Sequence, residues 1–162
     1  MISDTEFTEA VACFATGVVV VTVRDGRDDI GATVTAFSSV SREPPMVFVG
    51  IGKDAYLAEV LHRRDRWAAT VLSAGQRALA GRFAAAGRPS ARLLIADEPH
   101  HRGELTDALV IEGGLAALEC ATTQRVPAGD HVLFVAEVVG VDYVVPAVPP
   151  LIRFNRRYRS EI

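Results

Sequence analysis

Gly129-Asp130-His131 places a permissive glycine, a carboxylate and an imidazole directly ahead of the apolar run Val132 to Val135, which reads as a buried strand. A Gly-Asp turn has no need of a histidine. A loop that reaches toward a bound molecule does, because an imidazole gives or takes hydrogen bonds near neutral pH. A second concentration of chemistry lies in TVTAFSSVSREPP, Thr33 to Pro45. Thr33, Thr35, Ser38, Ser39 and Ser41 put five hydroxyls into nine positions. Ser and Thr ordinarily satisfy their own backbone at strand ends and turns, but one turn does not need that many. Such a row suits a ligand with a polyol tail and a flat heteroaromatic head.

GIGKDA, Gly50 to Ala55, has the outline of a Gly-x-Gly-x-x-Ala dinucleotide fingerprint. The acidic residue that should follow about 20 positions on is absent from AATVLSAGQ. Asp54 also replaces the Ser or Thr that a P-loop requires after Lys53. Two glycines beside the only lysine of the chain remain a plausible phosphate cradle of another kind. DEPHH, Asp97 to His101, gathers carboxylates and imidazoles, yet adjacent histidines rarely converge on one ion, so a solvated loop is the expectation. Arg153, Arg156, Arg157 and Arg159 can meet a phosphate, although solvated arginines account equally well for them.

These groups need a scaffold. The 162 residues are expected to form one domain, 1–162, with a core built without disulfides. A net charge of −3 with no basic block argues against a nucleic-acid partner. No apolar run is long enough for a bilayer and MISDTEF is no signal peptide, so cytoplasmic residence is expected. Cys13 and Cys120 read as reduced, partly buried thiols.

Ser3-Asp4-Thr5-Glu6 is a capping box, and Phe7, Ala10, Val11 and Phe14 fall on one face of the helix it opens, which Gly17 is expected to end in the left-handed conformation. Strands are expected at Val18–Val23, Gly31–Phe37, Met46–Ile51 and Trp67–Leu72. Asp54 is placed to cap a helix over Ala55–Arg64, and Gly75–Ala86 reads as a helix with Leu79 and Phe83 on one face. Residues 87–107 read mostly as loop, carrying prolines and charges. The last third alternates strands and turns. Many strands and few helices outside βαβ alternation indicate a mainly antiparallel β-barrel with helices packed outside it.

Taken in order, FATGVVVVTV, GATVTAFSSVSREPPMVFVGI, WAATVLSAGQRALAGRFA, LAALEC, AGDHVLFVAEV and PLIRFNRRYR resemble the short-chain NAD(P)H:flavin oxidoreductases that feed two-component monooxygenases. The resemblance spans nearly the whole chain. It implies an FMN-binding split β-barrel, a homodimer, FMN or FAD reduced by NADH or NADPH, and a monooxygenase partner reached through diffusible reduced flavin. By the same resemblance, Thr33, Thr35, Ala36, Ser38, Ser39 and Ser41 contact the isoalloxazine edge and ribityl chain. Gly50, Gly52 and Lys53 lie near the flavin phosphate, and Leu72, Ser73 and Gln76 line the flavin. Gly129, Asp130 and His131 stand beside the nicotinamide, with His131 the candidate catalytic residue, and Arg153, Phe154, Arg157 and Tyr158 help hold the pyridine nucleotide. Thr70 departs from the family's asparagine. Nothing in the residues selects FMN over FAD or NADH over NADPH. Two alternatives share these residues: a flavoprotein with tightly bound FMN that reduces or oxygenates another small molecule, and a flavin-binding protein without turnover.

Overall fold

A computed structural model describes residues 1–161; the expected domain, 1–162, runs one position past them. Seven strands form one antiparallel sheet: β2 (Val19–Asp25), β3 (Asp28–Val34), β4 (Phe37–Arg42), β5 (Pro45–Gly52), β6 (Arg66–Val71), β9 (Ala116–Ala128) and β10 (His131–Val144). Their order is β3-β2-β6-β9-β10-β5-β4. The two edge strands, β3 and β4, are neighbours in sequence, separated only by Thr35 and Ala36. Two residues span at most about 7 Å, so the sheet must wind round until its edges meet. They meet without a strand ladder; the Gly50 N–H donates to the Ala36 carbonyl at 2.8 Å, carrying the β4–β5 pairing one residue past Phe37 into the linker. The fold is therefore mainly β, as expected, with the sheet left open at one line.

A small sheet of β1 (Thr16–Gly17), β11 (Ile152–Phe154) and β12 (Arg157–Arg159) and a pair of β7 (His100–Arg102) with β8 (Leu109–Ile111) complete the strands. The helices are α1 (Asp4–Ala12), α2 (Tyr56–Arg63), α3 (Arg77–Ala84) and the single turn α4 (Ala91–Leu94).

The valine run of β2 is buried on both faces, which is why it carries no polar alternation. Val19, Val21 and Val23 join Leu57 and Leu61 of α2, Trp67 and Phe134 in one cluster. Val18 and Val20 join Leu79 and Phe83 of α3, Ile95 and Leu151 in another. The Trp67 indole N–H donates to the Thr122 hydroxyl at 2.9 Å, so the largest buried side chain leaves no polar atom stranded. Thr70, also buried, accepts from the Ile111 N–H at 3.3 Å and so joins β6 to β8.

Four expectations need correction. Gly17 does not end α1; Cys13 caps it in the right-handed region, and Gly17 is already in β1. Asp54 does not cap α2, whose N-cap is Ala55 with no side-chain bond. Residues 87–107 are mostly loop, as expected, with α4 and β7 set inside them; β7 takes His100 and His101 of DEPHH. Two buried carboxylates fix that excursion. Asp29 takes both terminal nitrogens of Arg102 at 2.8 Å, and Glu119 accepts from the Leu105 and Thr106 amides and the Thr106 hydroxyl at 3.0, 2.7 and 2.6 Å. Val132 to Val135 is not buried throughout, because Val132, Phe134 and Ala136 point into the core while Leu133 and Val135 point away. Cys13 is exposed, whereas burial, helped by the Glu119 charge, pushes the Cys120 thiol up to about 12.

Candidate active site

β9 and β10 are joined by a two-residue turn, Gly129-Asp130. Gly129 takes φ 63°, a conformation that costs a glycine nothing and suits a tight hairpin. His131, the first residue of β10, thereby stands opposite Gly52 on β5. The Lys53 N–H donates to the Asp130 carbonyl at 2.9 Å, which pins the turn to the end of β5. The Asp130 carboxylate lies 2.8 Å from His131 Nδ1. A carboxylate can only accept, so Nδ1 carries the hydrogen and Nε2 is left outward. That bond, then the charge of His131, holds the Asp130 carboxyl below the usual carboxylate range, with a smaller contribution from Lys53.

Under this hairpin lies a cavity of about 260 Å³ lined by Thr33, Thr35, Ala36, Gly50, Gly52 and His131 with their neighbours. Three separate stretches of the sequence therefore converge on the open seam. Gly50 is required there, since a Cβ would stand 3.1 Å from that of Ala36. Thr33 is anchored by donating to the Ala80 carbonyl of α3 at 2.7 Å. Ser38, Ser39 and Ser41 continue along β4, with a bulge at Val40. β4 pairs only with β5, so its outer edge has no strand partner, and there the Phe37 N–H turns back onto the Thr35 carbonyl at 3.0 Å. Lys53 is exposed beside the uncapped start of α2, where backbone N–H groups and the helix dipole favour an anion.

Leu72, Ser73 and Gln76 are not brought to this cavity. Leu72 is fully buried in the second cluster. Ser73 Oγ donates to the Gly113 carbonyl at 2.8 Å, its N–H to Gln76 Oε1 at 3.0 Å, and Gln76 Nε2 to the Glu112 carbonyl at 2.9 Å. Both polar side chains serve the backbone of their own turn and the one between β8 and β9.

The C-terminal residues build a second cavity of about 260 Å³. Thr16 pairs with Arg153 across β1 and β11, and the β11–β12 hairpin turns at Asn155 and Arg156. The Arg153 guanidinium sits 4.9 Å from the Tyr158 ring centre and that of Arg159 5.5 Å from Phe154. Arg153 lines this cavity together with Thr16, Phe7, Val11, Phe14 and Thr35. Thr35 lines both cavities, so the hydroxyl row and the arginine-bearing hairpin are adjacent. Arg157 is exposed on β12, and Tyr158 packs on the second core cluster. Thr16 and the aromatic face of α1 had no signal of their own in the sequence: a helix face of that kind ordinarily announces core.

Residues 11–161 match the family described as the flavin reductase like domain. The chain belongs to that family. It is 36% identical, over 94% of its length and 93% of the relative's, to the reductase component of 4-hydroxyphenylacetate 3-monooxygenase from Thermus thermophilus. It is 40% identical to an NADH-dependent FAD reductase of Streptomyces globisporus over 78% of this chain and 69% of that one. Among solved structures, the Streptomyces globisporus C-1027 NADH:FAD oxidoreductase in complex with NAD and FAD fragments superposes with TM-score 0.88 at 34% identity, covering 96% and 90% of the two chains.

Proposed function

We propose that this flavin reductase oxidises NADH and reduces free FMN or FAD by hydride transfer to flavin N5, supplying reduced flavin to a partner monooxygenase. The observation that carries the reading is the convergence of Gly50–Gly52, Thr33–Ala36 and His131 on one cavity, next to the Arg153 cavity. Relatives whose names state NADH-dependent flavin reduction support it. The seven strands are read as a split barrel, the chain as one domain, and its residence as cytoplasmic; among the described residues no helix is long and apolar enough to cross a membrane.

The residues fit a flavin. The seam offers hydroxyls, free backbone donors on β4 and a glycine-thin wall at Gly50 against which a flat ring can lie. Bound there, the flavin supplies the hydride acceptor. Amides from Thr35 to Ser41 point donors at the ring edge where negative charge develops on reduction, a preorganised stabilisation. Lys53 and the start of α2 take the phosphate. His131, oriented by Asp130, positions the nicotinamide over the ring; placing reactants in contact removes most of the entropic barrier. Arg153 and its hairpin take the far part of the pyridine nucleotide through the cavity that begins at Thr35.

The protein acts as a homodimer in this reading. Phe7, Val11 and Phe14 of the α1 region are 53%, 52% and 75% exposed, an apolar face that a second copy would cover. Loss of NADH absorbance, followed with and without added FMN or FAD, tests the function. Turnover that rises with free flavin supports it. Turnover independent of added flavin, or none at all, refutes it.

A further inference from the structure

The stretch HRRDRW, His62 to Trp67, leaves α2 and enters β6. Arg64 is already extended, with φ −122° and ψ 123°. In extended backbone alternate side chains share a face, so Arg64 and Arg66 go one way. Asp65, between them, turns to Arg125 and accepts from its Nη2 at 2.6 Å. β2 pairs with β6 as far as Thr22 opposite Ala68; two residues on, the same register sets Arg24 opposite Arg66. Like charges across a strand pair repel, and an anion between them relieves that.

A third cavity, about 620 Å³, opens at this point between the Gly26 turn, the entry to β6 and Thr106-Asp107. Four guanidiniums line it, those of Arg24, Arg63, Arg64 and Arg66, and no aromatic or aliphatic side chain does. The chain's own carboxylates satisfy them only in part. Asp107 accepts from Arg24 Nη1 at 2.6 Å, and Asp25 accepts from both Arg63 Nη2 at 2.6 Å and Arg64 Nε at 2.9 Å. Arg66 meets no carboxylate; its Nη1 donates to the Leu105 carbonyl at 2.7 Å. Among the described residues, Arg24 Nη2, both terminal nitrogens of Arg64, and Nε and Nη2 of Arg66 have no partner. The bonds at the other nitrogens hold these donors in place, and the donors form two groups: Arg24 with Arg66, and Arg64. The site is apart from the flavin seam. β3, Asp28–Val34, runs its whole length between the Gly26 turn and Thr35, roughly 20 Å.

We propose that this cavity binds a small polyanion carrying two phosphoryl groups, a ligand additional to flavin and NADH. The Arg24–Arg66 pair takes one group in the forked geometry that suits phosphate, and Arg64 takes the other. With no ring to stack on, a nucleobase gains nothing here.

Nuclear magnetic resonance titrations of the isotope-labelled full chain at constant ionic strength test this, with pyrophosphate, fructose 1,6-bisphosphate and orthophosphate as probes. Pyrophosphate or the bisphosphate should shift the amides of 24–27, 64–67 and 105–107 and bind at least about tenfold more tightly than orthophosphate. Whichever of the two binds more tightly tells whether the phosphoryl groups are joined or spaced. Arg66→Met should weaken that ligand about tenfold. Asp107→Asn, which frees Arg24 from its carboxylate, should tighten it about two- to fivefold, a gain that a merely structural arginine cluster would not give. Both variants should keep wild-type FMN reduction by NADH. If Arg66→Met does not fold, Arg64→Met and Asp107→Asn decide. Orthophosphate binding as tightly as both probes, shifts confined to 52–57 around Lys53, or variants without effect overturn the proposal. A glutamate-rich peptide that moves the arginine amides where neither phosphoryl ligand does gives this face to a protein partner and overturns it as well.

Discussion

His131 and Thr16 mark the two kinds of information that single residues carry here. His131 is fixed by Asp130 through Nδ1 and presents Nε2 outward, half-exposed at 48%. If it positions the nicotinamide, His131→Ala should slow hydride transfer at saturating NADH by about 10- to 100-fold, measured by stopped flow with FMN as acceptor. A wild-type rate would remove it from the chemistry. Thr16 Oγ1 is the one buried side-chain polar atom among the described residues with no hydrogen-bond partner. An unsatisfied buried hydroxyl costs roughly 1–3 kcal/mol, so Thr16→Val should raise stability by about 1 kcal/mol, read from the urea midpoint at constant m-value. Glycine, aspartate and histidine in a row were legible from sequence because each has a distinct chemical reason to be at a turn. Thr16 was not legible, since nothing in FATG tells a satisfied threonine from an orphan.

At the scale of elements, the long excursion between α3 and β8 is held by ion pairs. His101 on β7 directs Nδ1 to Glu112 at 3.1 Å and Nε2 to Asp142 on β10 at 2.9 Å. Carboxylates face both nitrogens, so the ring is an imidazolium in this arrangement. Its pKa is raised chiefly by the Asp142 hydrogen bond, with Glu112 adding to it against partial burial. A folded-state value above the unfolded 6.5 gives stabilisation that is complete below 6.5 and lost as pH rises through the raised value. His101→Gln should therefore flatten the decline in melting temperature over that alkaline-going range; an unchanged pH profile would mean the clamp holds nothing. Glu119→Leu, which removes the single oxygen, Oε2, that takes all three donors, should cost about 2–4 kcal/mol by chemical denaturation. β2, β5, β6 and β10 were readable as strands because β-branched runs have few other uses. α4 and β7 inside the excursion were not: their order comes with Asp29 and Glu119, residues distant in sequence, and short elements in a charged, proline-bearing stretch leave no periodic pattern. The helices were legible in place, and Ser3 with Glu6 forms the expected capping box, but the end of α1 and the start of α2 were not, since Cys13 and Ala55 cap there without the expected residues.

For the molecule as a whole, the proposed homodimer rests on the exposed apolar face of α1. A Phe7→Glu, Phe14→Glu double variant should shift the sedimenting species from twice the 17.4 kDa chain mass to one. If wild type already sediments as a monomer, the dimer is wrong. Sequence order alone did not disclose that β3 and β4, two residues apart, bound opposite ends of the sheet; that follows only once β10 is paired between β9 and β5. The unpaired line between them has a mechanical consequence. A strand cylinder resists shear by its rungs, and here one rung is missing, so a planar guest lying against Gly50 and Ala36 would stand in for it. Occupancy should then stiffen the whole circumference: amide exchange at 35–39 and 50–52 should slow together on ligand binding, as far apart in the chain as they are close in space.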